Sequence, residues 1–164
     1  MTAAPSTPVL CPPTGGLGGA VARWGGLGLI VGLLAAGGIV VRDQRAADTV
    51  APVFTAARAA LLFQRSATGS WPVDGVLASR RDDLFHARFN VFRVALARCE
   101  VAGVWTFRSR GPAGRPVVVF TPAEPGRAFE RALAVVDGWV DDGEPGQGDF
   151  RVFAERAELS FSAE

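Results

Sequence analysis

The clearest pattern along the chain is an uninterrupted apolar segment near its start. From Trp24 to Val41 no side chain is charged, and the run Gly28-Leu-Ile-Val-Gly-Leu-Leu-Ala-Ala-Gly-Gly-Ile-Val-Val41 is bounded by Arg23 on one side and Arg42-Asp43 on the other. As an α-helix, these roughly 18 residues rise about 27 Å at ~1.5 Å each, close to the ~30 Å hydrocarbon thickness of a bilayer. The pattern predicts a transmembrane helix over 24–41. A cleaved secretory signal fits less well, because its apolar region is usually only ~7–15 residues and ends at a small-residue cleavage site. Here Arg42-Asp43-Gln44-Arg45 follows directly.

Beyond this span the apolar positions thin out to a helical rhythm. Val50, Val53, Phe54, Ala57 and Leu61 recur at three- and four-residue intervals, with Arg45, Asp48, Arg58 and Arg65 elsewhere around the turn. No linker intervenes, so a helix over 42–66 continues out of the membrane, with Pro52 expected to kink it and Ser66-Ala-Thr-Gly69-Ser70 to end it. Its apolar face needs a partner. Gly103–Ser109 and Pro116–Thr121, two apolar runs separated by Arg110-Gly-Pro-Ala-Gly-Arg115, read as a β-hairpin. Glu158–Ser162 and Phe150–Phe153 alternate with period two and read as further strands, and Arg127–Val136 as a short amphipathic helix. The stretch 80–99 fits helix or strand. The fold class expected is therefore α+β, a long N-terminal helix packed on a small antiparallel sheet. The chain divides into an arm over 1–23 that is expected to be disordered, the span, the continuing helix and a globular part over 67–164.

Charge and composition narrow the function. The formal net charge is +1, and charges alternate in sign along the C-terminal part, so no basic stripe exists to neutralise phosphates and nucleic acid is not an expected partner. All 17 basic residues are Arg. The absence of Lys excludes a P-loop, whose lysine reaches the phosphates, and a pyridoxal site, which needs an amine for its Schiff base. Arg23 at one end of the span and Arg42 and Arg45, offset by Asp43, at the other leave orientation undecided by charge. Six glycines lie between Gly25 and Gly38. Gly28, Gly32 and Ala36 repeat at intervals of four on one face, the small-xxx-small pattern that lets membrane helices pack closely.

A membrane helix running into an amphipathic helix, then a Trp-Pro turn and a small sheet, resembles the type IV pilin-like and type II secretion pseudopilin-like proteins. Three stretches carry the likeness: Ala67-Thr-Gly-Ser-Trp-Pro-Val73, Gly103-Val-Trp-Thr-Phe107, and Ala134-Val-Val-Asp-Gly-Trp-Val-Asp-Asp-Gly143 leading to Gly148-Asp-Phe-Arg151. The resemblance implies a non-catalytic structural subunit with its N-terminus in the cytoplasm, one span in the inner membrane and its C-terminal domain in the periplasm. The implied partners are other pilin-like subunits, met through the N-terminal helix, and membrane lipid. It also implies processing between Gly26 and Leu27, the nearest alignment to a prepilin-peptidase cut. Val31 then stands where such proteins usually carry a glutamate, a substitution better known in a minor, tip-located pseudopilin. The rival reading is a membrane-tethered monomeric module that binds a peptide, glycan or envelope partner.

Candidate chemistry is sparse. The turn Asp141-Asp142-Gly143-Glu144, with Asp149 nearby, offers several hard oxygen ligands and makes calcium the one cofactor to consider. It lacks the Asp-x-Asp-x-Asp-Gly order of an EF-hand loop and reads better as a solvated turn. His86 follows Asp82, Asp83 and Phe85 but has no nucleophile or second nitrogen ligand beside it. Cys11 and Cys99 lack zinc spacing, and no basic and apolar run precedes Cys11 as lipidation would need. No Gly-x-Ser-x-Gly, His-Glu-x-x-His or Cys-x-x-Cys occurs, so no catalytic or cofactor-binding residue is assigned and no enzyme is expected. Trp71, Trp105 and Trp139, with Phe107, Phe120 and Phe129, could form a binding surface, but in so small a domain they read first as core.

Overall fold

A computed structural model of the chain describes residues 17–79, 86–111, 114–144 and 146–162. Helix α1 runs from Leu17 to Thr68 and includes Pro52 without a break. It begins upstream of Trp24, so part of the arm expected to be disordered, 17–23, is helical, while 1–16 lies outside the described residues. Residues 17–23 contain no proline, and nothing in them stops the helix propagating from the apolar run. At the other end Gly69 takes φ 71° and its N–H donates to the carbonyl of Arg65 at 2.9 Å. Only glycine adopts this left-handed turn without strain, and it satisfies one of the carbonyls left over at the helix end.

The chain forms two compact units, one ending at Ile39 and the other beginning at Val40. In the second unit, α1 buries Ala47, Val50, Val53, Phe54, Ala57, Ala60 and Leu61, the stripe anticipated from the three- and four-residue spacing. The chain then passes through the two-residue strand β1 (Gly75–Val76), a single 3-10 turn (Leu77–Ser79) and helix α2 (His86–Ala97). The ambiguous stretch is thus helical from His86, and Phe92, Ala95, Leu96 and Cys99 supply its inward spacing. Residues 80–85 lie outside the described residues.

Strands β2 (Gly103–Arg108) and β3 (Val117–Pro122), helix α3 (Arg127–Val140), and strands β4 (Phe150–Phe153) and β5 (Arg156–Ser160) complete the fold. The sheet has the order β1-β2-β3-β5-β4 and every pairing is antiparallel. The expected hairpin and both further expected strands are present, the last of them over Arg156–Ser160 instead of 158–162; α3 extends past Val136 to Val140, and β1 is an edge strand too short to show a period. The architecture is α+β, a long N-terminal helix and a five-stranded antiparallel sheet.

Alternation sends Trp105, Phe107, Val118, Phe120, Ala157, Leu159 and Phe150 into one core with Phe54 of α1 and with Phe129, Leu133 and Val136 of α3. Trp105 faces Phe120 across the β2–β3 register, and their rings stack at 4.4 Å. Phe54 meets Trp105 edge-on at 4.6 Å and Phe150 at 4.9 Å, geometries that favour the aromatic quadrupoles. The Phe120 ring lies over Gly103: a β-carbon there would come within 2.7 Å of Phe120 Cζ, so this strand-start position has no room for a side chain. Asp43, 8% exposed, accepts from Nε of Arg131 at 2.7 Å and ties α1 to α3.

Candidate functional site

The first candidate surface is the apolar part of α1. Leu29, Val31, Leu33, Leu34, Ile39, Val40 and Val41 are all exposed, although each is a residue that water drives inward. This N-terminal helix is long and apolar enough to span a membrane. Gly28, Gly32 and Ala36 are exposed on it, and a β-carbon at Gly28 or Gly32 would meet nothing within 4 Å. The face is open to a neighbour. Gly26 and Leu27 lie within the helical backbone of α1.

The second candidate is the acidic corner after α3. The four acids singled out in the sequence do not converge. Asp149 pairs with Nη1 of Arg115 at 2.7 Å. Asp141 closes α3, its N–H donating to the carbonyl of Asp137 at 2.8 Å, while its Oδ2 accepts the backbone N–H groups of Asp149 and Phe150, the latter at 2.8 Å. It thereby caps the start of edge strand β4. Asp142 Oδ1 accepts the N–H of Glu144 at 2.9 Å in a local Asx turn, and Glu144 is exposed. What the sequence reading missed is Asp137, which is fully buried and brings its carboxylate close to those of Asp141 and Asp142. Burial, reinforced by the negative charges of Asp142, Asp141 and Glu144, pushes its pKa up to about 6. The signal was present: an acid on the apolar stripe of α3, in step with Leu133 and Val136 and one turn before Asp141.

The remaining candidates have structural placements. His86 opens α2. Cys99 is half-buried, donates to the carbonyl of Val101 at 3.5 Å, and has its thiol pKa raised by that burial, the opposite of an activated nucleophile. Cys11 lies outside the described residues. Of the aromatic set, Trp105, Phe107, Phe120 and Phe129 are core, whereas Trp139 is exposed and Trp71 half-buried. Trp71 packs on Phe107 and Phe161 at ring distances of 5.9 and 5.7 Å, with the Arg65 guanidinium over its ring at 5.8 Å. Beside it an open groove of about 550 Å³ is lined by Trp71, Pro72, Val73, Asp74, Ser109 and Arg110. Asp74 Oδ1 fixes one wall by accepting the N–H of Ser109 at 2.7 Å. No family model, curated protein sequence or solved structure matches the chain.

Proposed function

We propose that this chain is a pilin-like structural subunit of a type II secretion or type IV pilus-like filament, held in the bacterial inner membrane by the apolar part of α1 and carrying its sheet domain in the periplasm. The observation that supports this most is the division of labour along one unbroken helix. Residues 28–42 are exposed wherever their side chains are described, and nearly all are apolar. Residues 47–61 instead commit one face to an antiparallel sheet core. An element of this kind is anchor and scaffold at once, and it leaves the lipid-facing length free for helices of other subunits. The reading assigns no catalytic role, and its expected partners are further pilin-like subunits and lipid. Alkaline phosphatase fused after Glu164 should be active in the native host or a bacterial surrogate. An inactive fusion with an active cytoplasmic reporter at the same point would reverse the orientation.

A second reading, a tethered monomeric binding module, draws support from the groove at Trp71, where an aromatic plane, a guanidinium and a carboxylate converge. It separates from the first by association: a binding module stays monomeric in the membrane and keeps residues 1–26, whereas a subunit crosslinks through α1 and starts at Leu27.

A further inference from the structure

We infer that the groove beside Trp71 binds a short, uncharged saccharide, seated against the indole and held by Arg110 and Asp74. The inference rests on the binding-module reading and names the ligand of its groove. Two apolar side chains stand in the open here. Val73 is 83% exposed, more than any other large apolar side chain among the described residues, and Trp71, an indole large enough to anchor a core, is only half-buried. Folding draws such groups inward, so a concave surface that keeps them in water suits a ligand with an apolar face of its own. The surface is also rigid. Phe107 and Phe161 pack against the Trp71 ring, the Arg65 guanidinium lies over it, and Pro72 is buried. Asp74 Oδ1, accepting the N–H of Ser109 at 2.7 Å, joins the loop before β1 to the end of β2. Just beyond Arg110 the turn closes through the N–H of Gly111, which donates to the carbonyl of Arg115 at 2.7 Å. A site already ordered loses little freedom on binding.

The lining narrows the chemistry of the ligand. Trp71, Pro72 and Val73 are apolar, while Asp74, Ser109 and Arg110 bring a carboxylate, a hydroxyl and a guanidinium to the same groove. One negative and one positive charge offset each other, so the lining favours neither a polyanion nor a polycation. Arg110 is exposed and makes no ion pair among the described residues, which leaves its fork of donors for acceptors on a ligand. A pyranose matches this set. Its ring C–H groups form an apolar face that lies against an aromatic side chain, and its neighbouring hydroxyls accept from a guanidinium and donate to a carboxylate. An extended peptide matches less well, because recognition at a sheet edge needs a run of backbone N–H and C=O groups. Edge strand β1 offers two residues, Gly75 and Val76, and Pro72 shortly before it has no N–H. The groove volume of about 550 Å³ lies within the ~300–1,000 Å³ of small-molecule sites, and its open form admits a chain of sugars.

The test uses the full-length protein in a detergent without a sugar head group, titrated by calorimetry with cellotriose, maltotriose and triacetylchitotriose. At least one of these is expected to bind, one per chain, with a Kd on the order of 10⁻³ M, the range of an open groove with few polar anchors. Arg110→Ala should weaken that binding at least about tenfold, the usual loss when a charged hydrogen-bond donor is removed. Trp71→Ala should abolish it. Because Arg110 is exposed, its variant remains decisive if Trp71→Ala does not fold. Val91→Ser, at an exposed position of α2 outside the groove, should change Kd by less than about twofold. The absence of heat with all of the sugars up to about 20 mM would overturn the inference, as would binding that Arg110→Ala leaves unchanged. A polyproline peptide titrated into the same sample separates this failure from that of the wider reading: if it binds where no sugar does, the binding module stands and the saccharide falls. Crosslinking through α1 in that sample would remove the monomeric module, while the saccharide is still decided by its own titration.

Discussion

At the residue scale, the energetics turn on a few positions where the chain departs from the rule of apolar inside and polar outside. Asp43 and Glu158 are buried but answered, by Arg131 at 2.7 Å and Arg156 at 2.6 Å, and such pairs are costly chiefly when one member is removed. Of the three buried acids among the described residues, Asp137 is the one without a hydrogen-bond partner, and this gives the domain a pH signature. Its folded pKa of about 6 stands above the ordinary 3.8, so between these values the folded state holds a proton that the unfolded chain releases. The stabilisation is complete below about 3.8 and is lost as pH rises through about 6. With EDTA present, the Tm of the full-length protein should therefore drop from pH 5 to pH 7.5 by more than it does in Asp137→Asn. Comparing the two proteins isolates the contribution of Asp137. Equal slopes would mean that Asp137 carries no raised pKa.

At the scale of elements, α1 is the member on which the sheet depends. Phe54 sits at its centre with no exposure and touches Trp105 and Phe150, residues from the second and the last strand of the sheet order. Phe54→Ala should cost about 3–5 kcal/mol, the combined loss of transfer energy and a cavity that neighbouring strands cannot close. Urea unfolding followed by Trp fluorescence measures it, and a loss below about 1 kcal/mol would show that α1 is not integral to the core. These contacts also mark how much was legible beforehand. The Val50/Phe54/Ala57/Leu61 stripe was readable because one face of the helix is buried and the period survives in the residue types, the β2–β3 hairpin because two apolar runs flank a turn rich in Gly and Pro, and β4 and β5 because apolar and polar residue types alternate along them. The two-residue strand β1 carries no period. The stretch 80–99 resisted because Val91 and Val94 of α2 are apolar yet exposed, which blurs the helical stripe made by Phe92, Ala95 and Leu96. In the acidic corner, loop position draws attention to Asp149 and Glu144, whereas the signal for Asp137 is its place in step with Leu133 and Val136 on the buried stripe of α3.

At the scale of the whole molecule, the question is what meets the exposed apolar length of α1. Lipid alone would satisfy it, since hydrocarbon is as apolar as leucine, and a helix gains nothing hydrophobic by leaving lipid for another helix. Association must then come from close packing, which needs backbones that approach without intervening side chains. Gly28, Gly32 and Ala36 provide such a strip, and a β-carbon built at either glycine meets no atom within 4 Å. A larger side chain at Gly32 is consequently accommodated by the isolated chain but not by a chain packed against a neighbour. Gly32→Leu is expected to insert normally, because leucine adds apolarity to the span, and to leave domain stability unchanged, because the position lies in the unit that ends at Ile39. It should nonetheless reduce crosslinking between subunits through α1 several-fold. Crosslinking in native membranes, with mass spectrometry of the same material to read the N-terminus, checks both steps of the proposed assembly. Wild-type chains that begin at Leu27 and crosslink through α1, with Gly32→Leu chains that begin at Leu27 and do not, would fit a processed filament subunit. Chains that keep residues 1–26 and crosslink in neither case would instead leave α1 as an anchor alone, and the groove at Trp71 would become the surface to pursue.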